Sequence, residues 1–386
     1  MISYGRQSID ESDIAAVTAV LRGQALTCGP AVDAFEAEVR RISGAPFAIA
    51  VSNGTSALRL LYQAAGIGPG VRVGVPAITF AATASQAMLL GADVVLLDVD
   101  PVTLLLTPEI LASTRERLDW VVPVHAAGRQ CDLAGLSAVA APRGVRMLED
   151  AAHAFGSTWA DGRPAGALAQ SEGAIFSFHP VKNITTAEGG AIVVRDAAVD
   201  RRLRSLRHHG IIREGFTGVL AAEDAGAPWY HEFHHPATNE RLSDLHCALG
   251  ISQCQRLPAF KAARQAVHDR YRASAGAWPW LTLPPPCPDQ QPFWHLCPAR
   301  IDWHMLGADR RAVFADALAH GIQLQVHYIP LHCQPAFSGL VRGSALSGAE
   351  AAYRGLVSLP CHPELLGAPQ TQVIAWLDGL AQRMRK

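Results

Sequence analysis

What this chain can fold into is constrained most by an alternation. Six short apolar runs, at 71–76, 94–99, 120–124, 145–150, 174–178 and 191–194, are separated by stretches with a helical pattern. Several runs are apolar on both faces, as the strands of a parallel sheet are. In 55–65 the apolar residues Leu58, Leu61, Tyr62 and Ala65 recur at i, i+3, i+4 and i+7, one face of a helix. An earlier helix is predicted over 12–22, with Ile14, Val17 and Leu21 on one face and Gly23 as its stop. This alternation predicts an α/β fold on a largely parallel sheet.

The second half reads differently. Segment 210–229 is rich in Gly and Ala, has no clear period, and is expected to be a long functional excursion. A helix over 242–257 is expected to end before Pro258, because proline cannot donate to the helical ladder. Five prolines within 283–292 mark a second domain. The expected division is a large domain over 1–257 and a smaller C-terminal α/β domain over 258–386, closed by a helix with Val373, Trp376, Leu377 and Leu380 on one face.

Composition narrows the function classes. With 49% hydrophobic and 17% charged residues the chain has ample apolar surface to bury. A net charge of −1 and the lack of a basic stripe argue against nucleic acid as a partner. Residues 1–10 carry no charged-then-apolar leader pattern, and no apolar run reaches the ~18 residues of a membrane span. A soluble, cytoplasmic protein is expected. The eight cysteines are scattered without a C-x-x-C pair, so reduced thiols and no metal site are expected. His231, His234 and His235 invite a metal reading, but no matching carboxylate or cysteine set stands beside them in the sequence. Lysine is scarce: Lys182, Lys261 and Lys386 stand against thirty arginines, so few residues compete for a role that needs a primary amine.

Three segments carry chemistry. In SFHPVKNITTAEGG, 177–190, Lys182 lies between an apolar run and a Gly-Gly turn. A lysine taken out of water has a lowered pKa and becomes a nucleophilic amine suited to Schiff-base chemistry, although a surface lysine at a turn has the same spacing. In LEDAAHAFG, 148–156, Asp150 ends an apolar run, where ligands of open α/β sheets bind. A carboxylate there pairs with a protonated pyridine nitrogen, or else caps a helix through Ala-Ala-His-Ala. In VSNGTSA, 51–57, Thr55 and Ser56 open a helix whose free N–H groups suit a phosphate; they also suit ordinary caps.

In this order, the three segments resemble the DegT/DnrJ/EryC1/StrS sugar aminotransferases, pyridoxal 5′-phosphate (PLP) enzymes of fold type I. The likeness runs through nearly the whole chain, from LTCGP at 26–30 to NERLSD at 239–244, QVHY at 325–328 and SLP at 358–360. It implies that Lys182 holds PLP covalently and shuttles protons, and that Asp150 pairs with the pyridine nitrogen. Phe80 would stack on the ring, against the alternative of a core phenylalanine. Thr55, Ser56 and Ser177 would bind the phosphate, and His153 would lie near the cofactor. His327 and Tyr328 would face the substrate. Asn239 would reach the phosphate in the other subunit, so the resemblance also implies a homodimer with shared sites. Relatives commonly carry an aromatic residue after that asparagine; here it is Glu240. The motifs look most like members of the pseudaminic-acid type pathway, which implies amino transfer from L-glutamate to C4 of UDP-2-acetamido-2,6-dideoxy-hexos-4-ulose. Other UDP- or dTDP-keto sugars remain alternatives within the class. A sugar dehydratase of the family would carry histidine in place of Lys182, and a non-catalytic PLP-binding regulator would not need the intact Lys182 and Asp150.

Overall fold

The computed structural model describes residues 1–340 and 345–385. Its first part contains strands β1 (Phe47–Val51), β2 (Arg72–Pro76), β3 (Asp93–Leu97), β4 (Trp120–Val121), β5 (Arg146–Met147), β6 (Glu149–Asp150), β7 (Thr158–Trp159), β8 (Gly173–Ser177) and β9 (Gly190–Val194). Two ladders form, β3-β2-β4-β5 and β1-β9-β8-β6. They are one sheet, because β5 and β6 continue each other: the Leu148 N–H donates to Val121 O and the Asp150 N–H to Pro123 O. β1 and β8 both pair antiparallel with β9, which is thus the one strand of this sheet running against the rest. All six expected apolar runs enter the sheet. β1 was not foreseen; a run of five apolar residues has no period that separates strand from buried helix.

Both faces of the sheet are covered, and alternate residues show it. Ile49, Val51, Ile175, Ile192 and Val194 join one core, while Ala48, Ala50, Phe176, Ala191 and Val193 join another. The helix Gly54–Ala64 buries Leu58, Leu61 and Tyr62 on the first face. Its N-cap Asn53 accepts a 2.8 Å bond from the Ser56 N–H, which fixes where the helix starts.

The expected stop before Pro258 is overturned: one helix runs Asp244–Ser274 with Pro258 inside it. Proline costs that helix a backbone hydrogen bond, but packing on both sides of it offsets the loss. Cys247, Cys254 and Phe260 enter the core beneath the sheet, while Val267 and Tyr271 enter a separate core around a three-stranded sheet. That sheet is formed by Leu281–Thr282, Cys297–Ile301 and Leu356–Leu359. The closing helix Ala368–Met384 buries Val373, Trp376, Leu377 and Leu380 against it, as expected. The N-terminus joins this small part. The Ile2 N–H donates to Gly321 O, the Gln323 N–H to Ile2 O, and the Cys361 N–H to Tyr4 O.

The excursion is organised: Ile211–Ile212 and Glu232–Phe233 pair as a short hairpin enclosing a one-turn helix, Ala221–Asp224. Glu232 ties it together, accepting bonds from the Tyr230 hydroxyl (2.6 Å), His234 Nε2 (2.8 Å) and the Thr217 and Gly218 N–H groups (both 2.8 Å). His231 stands edge-on to Phe233. Among the described residues no cluster of His, Cys, Asp or Glu is placed to hold a metal ion, and no helix is long and apolar enough to cross a membrane.

Candidate active site

A cavity of about 940 Å³ opens at the carboxyl ends of β2, β4, β6 and β8, between the large sheet and the small part. Lys182, Asp150, Thr55, Ser56, Phe80, His153, Ser177, His327 and Tyr328 all line it. Asn239 does not. It is exposed, its backbone bridges His208, and its Oδ1 accepts from the Arg241 N–H at 3.3 Å.

Asp150 is buried at the end of β6. Thr83 donates its hydroxyl to Oδ2 at 2.7 Å, and the Ala152 N–H donates to Oδ1 at 3.1 Å. The helix-cap alternative fails, because residues 151–156 form turns and not a helix. Burial lowers the Lys182 pKa from its ordinary 10.5 to about 8, while the charge of Asp150 opposes the fall. At pH 7 roughly a tenth of the amines are then neutral, against a few in ten thousand for an unshifted lysine. The loop that carries Lys182 is pinned from below by Arg264, fully buried on the long helix. Its guanidinium donates to the carbonyls of Lys182 (3.1 Å), His295 (3.0 Å) and Cys361 (2.7 Å), which ties the Lys182 loop to the small part.

The start of helix Gly54–Ala64 makes a bare cradle. A Cβ on Gly54 would stand 2.9 Å from Ser177 Cβ, and one on Gly190 would stand 2.6 Å from the Asn53 carbonyl carbon. Glycine at both positions lets three backbone segments converge beside the hydroxyls of Thr55 and Ser177, and this donor set fits a phosphate. Ser56 departs from the expectation in its contacts: its hydroxyl donates to Glu240 Oε2 at 2.5 Å.

Phe80 is 57% exposed, so it is a cavity wall and not a core residue. Its ring centroid lies 6.0 Å from that of Tyr328. His153 is neutral: burial first, then Lys182 and His327, hold its pKa well below the usual value. Its Nδ1 accepts the Ala127 N–H at 3.4 Å, so the remaining proton sits on Nε2, 3.2 Å from the Tyr328 oxygen. The hydroxyl hydrogen of Tyr328 is thereby left for the cavity. His327 binds Ser358 Oγ through Nδ1 at 2.8 Å, and burial pushes its pKa down to about 4.

Sequence reasoning missed several residues. His295 lies 4.4 Å, ring to ring, from His153 and has an unpartnered buried Nδ1. Tyr4, Thr83 and Arg59 also matter here. Tyr4 and His295 stand in no motif and are brought in by tertiary pairing, whereas Arg59 lies on the helix that Thr55 opens and Thr83 follows closely on Phe80.

A mostly parallel α/β sheet with a depressed lysine, a buried carboxylate and a glycine-lined cradle that fits a phosphate at its carboxyl edge is the arrangement of a PLP-dependent aminotransferase of fold type I. The family model for the DegT/DnrJ/EryC1/StrS aminotransferases matches residues 7–378, and the chain belongs to that family. Among solved structures it is similar to the aminotransferase TlmJ from Streptoalloteichus hindustanus (28% identity, all of both chains, TM-score 0.89). It is also similar to Spr1654 from Streptococcus pneumoniae in its PMP form (26%, all of both chains, 0.88). A third is Helicobacter pylori PseC, an aminotransferase involved in the biosynthesis of pseudoaminic acid (25%, 99% of this chain and 98% of that one, 0.88).

Proposed function

We propose that this chain moves an amino group from L-glutamate to the C4 ketone of a nucleotide-linked 4-keto-6-deoxy sugar, with UDP-2-acetamido-2,6-dideoxy-hexos-4-ulose as the first candidate. The observation that carries this reading is the cavity itself. It has room for a cofactor and a sugar ring together, and its lining includes the neutral hydrogen-bonding groups His327, Tyr328 and Gln325. The likeness to PseC supports the choice of sugar and pathway type.

PLP, when bound, supplies the electron sink for breaking the donor's C–H bond. The chain's residues do the rest. Lys182 would hold the cofactor through its amine; once the donor's amino group has taken its place, the freed amine would take a proton from the donor carbon and later return one to the sugar carbon. Asp150, oriented by Thr83, pairs with the ring nitrogen and favours its protonated form. Thr55, Ser177 and the helix start hold the phosphate, and Phe80 covers the ring. Neutral His327 accepts a donor carboxylate and a sugar in turn, because it carries no fixed charge that would trap either one. A dehydratase reading lacks support, since Lys182 is present and its pKa suits proton transfer at neutral pH.

The reading is tested by incubating the protein with PLP, L-glutamate and a panel of UDP- and dTDP-4-keto sugars. Amine product is expected by mass from the UDP-2-acetamido-2,6-dideoxy sugar. Product from dTDP sugars alone would reassign the substrate.

Shared sites form part of the proposal: that Asn239 is exposed and does not line its own cavity supports a role toward a second copy. Mixing the inactive Lys182→Ala and Asn239→Asp variants should restore part of the activity, because one site of the mixed dimer carries neither lesion. If subunits exchange and activity stays absent, Asn239 serves its own subunit.

A further inference from the structure

We propose that Arg59 and Glu240 form a phosphate-gripping element of this cavity, with Arg59 as the ligand-binding group and Glu240 as the brace that aims it. The proposal deepens the aminotransferase reading and rests on it. Every compound in that reaction except glutamate and its keto acid carries phosphate, yet among the described residues Arg59 and Lys182 are the only Arg or Lys residues lining the cavity. Lys182 is needed as a neutral amine, which leaves Arg59 as the fixed positive charge.

The brace is complete. Glu240 is 8% exposed, and a carboxylate offers about four acceptor positions. Ser56 (2.5 Å) and Ser52 (3.1 Å) donate to Oε2, and Thr238 (2.7 Å) and Arg59 donate to Oε1. The residue that departs from the family's pattern therefore points inward, onto the start of the cradle helix. Two consequences follow from counting hydrogens. Ser56 has one hydroxyl hydrogen, which Glu240 takes, so Ser56 is not a phosphate donor in this arrangement. Arg59 sits one turn further along the same helix, and both of its protein bonds, to Glu240 and to Thr238 (2.9 Å), leave from Nη2. Its Nε and Nη1 hydrogens have no protein partner among the described residues. A guanidinium held on one side with donors free on the other is suited to bidentate recognition of phosphate.

Two phosphates meet this description: that of PLP and the diphosphate of the nucleotide-linked substrate. Two binding arms separate them. Cofactor-free protein is titrated with PLP, read by the visible absorbance of lysine-bound cofactor, and PLP-loaded protein is titrated with UDP by calorimetry. Arg59→Met should weaken one of the two by about tenfold or more, with Arg59→Lys recovering part of the loss. Glu240→Gln should weaken the same ligand by about threefold, since Arg59 keeps its charge but loses its aim. A change in the first arm assigns Arg59 to the cofactor, and one in the second assigns it to the substrate. If Arg59→Met does not fold, Arg59→Lys and Glu240→Gln carry the test. Wild-type protein that binds both ligands, with every folded variant within about twofold of it in both arms, overturns the inference alone. Wild-type protein that binds neither overturns the proposed function with it.

Discussion

Lys182→Ala is expected to abolish covalent capture of PLP and to lower amino transfer by at least about 10⁴-fold, the upper end of what a positioned acid–base group contributes. The other described lysine does not replace it: Lys261 lies elsewhere, donating to Gly156 O at 3.0 Å. Lys182→Arg should fail equally, because a guanidinium neither attacks an aldehyde nor gives up a proton near neutral pH. The pH dependence has a definite sign. The attacking form is the neutral amine and the pKa is about 8. In wild-type protein the rate of PLP capture should therefore fall about tenfold per unit as pH drops below 8, and level off above it. The visible absorbance of the lysine-bound cofactor measures both effects. Full activity in Lys182→Ala would refute the assignment.

Asp150→Asn is expected to leave the fold intact and to lower turnover by more than about tenfold, or ~1.4 kcal/mol of barrier. The substitution is close to isosteric. The amide oxygen still accepts the Ala152 N–H, and the Thr83 hydroxyl has an alternative acceptor in Phe80 O at 3.2 Å. What is lost is the charge that favours a protonated ring nitrogen. The same charge opposes the depression of the Lys182 pKa, so in Asp150→Asn that pKa should move further below 8. A purely structural aspartate would move neither. Steady-state kinetics and the pH profile of PLP capture read the two effects separately, and a loss under about tenfold with an unmoved profile would reduce Asp150 to a turn-forming residue.

Much of this site was legible in the sequence because its parts sit at strand ends and one helix start, where local pattern and chemistry coincide. Asp150, Thr55 and Ser177 each lie within a residue or two of an element that periodicity alone finds, and Lys182 lies on the loop between two such strands, Gly173–Ser177 and Gly190–Val194. The histidine and tyrosine of QVHY also reach the cavity. Residues brought in by pairing distant in sequence were not legible. Tyr4 enters because residues 2–4 join backbone near Gly321 and Cys361, and His295 enters through its N–H bond to Ala127 O. The helix through Pro258 misled for a related reason. A local rule stops a helix at proline, but two separate cores hold this one on either side of it. Glu240 was legible only as a departure; which way its carboxylate points depends on Ser52, Ser56 and Arg59, nearly two hundred residues away in the chain.

The central claim is that one lysine-based site runs both halves of an amino transfer. It is tested most directly by adding excess L-glutamate, without any sugar, to PLP-loaded protein and measuring 2-oxoglutarate. The account predicts a single burst of one 2-oxoglutarate per site with loss of the visible cofactor absorbance, followed by recovery of that absorbance when the accepted 4-keto sugar is added. Absence of any burst, or release that continues without a sugar acceptor, would contradict it.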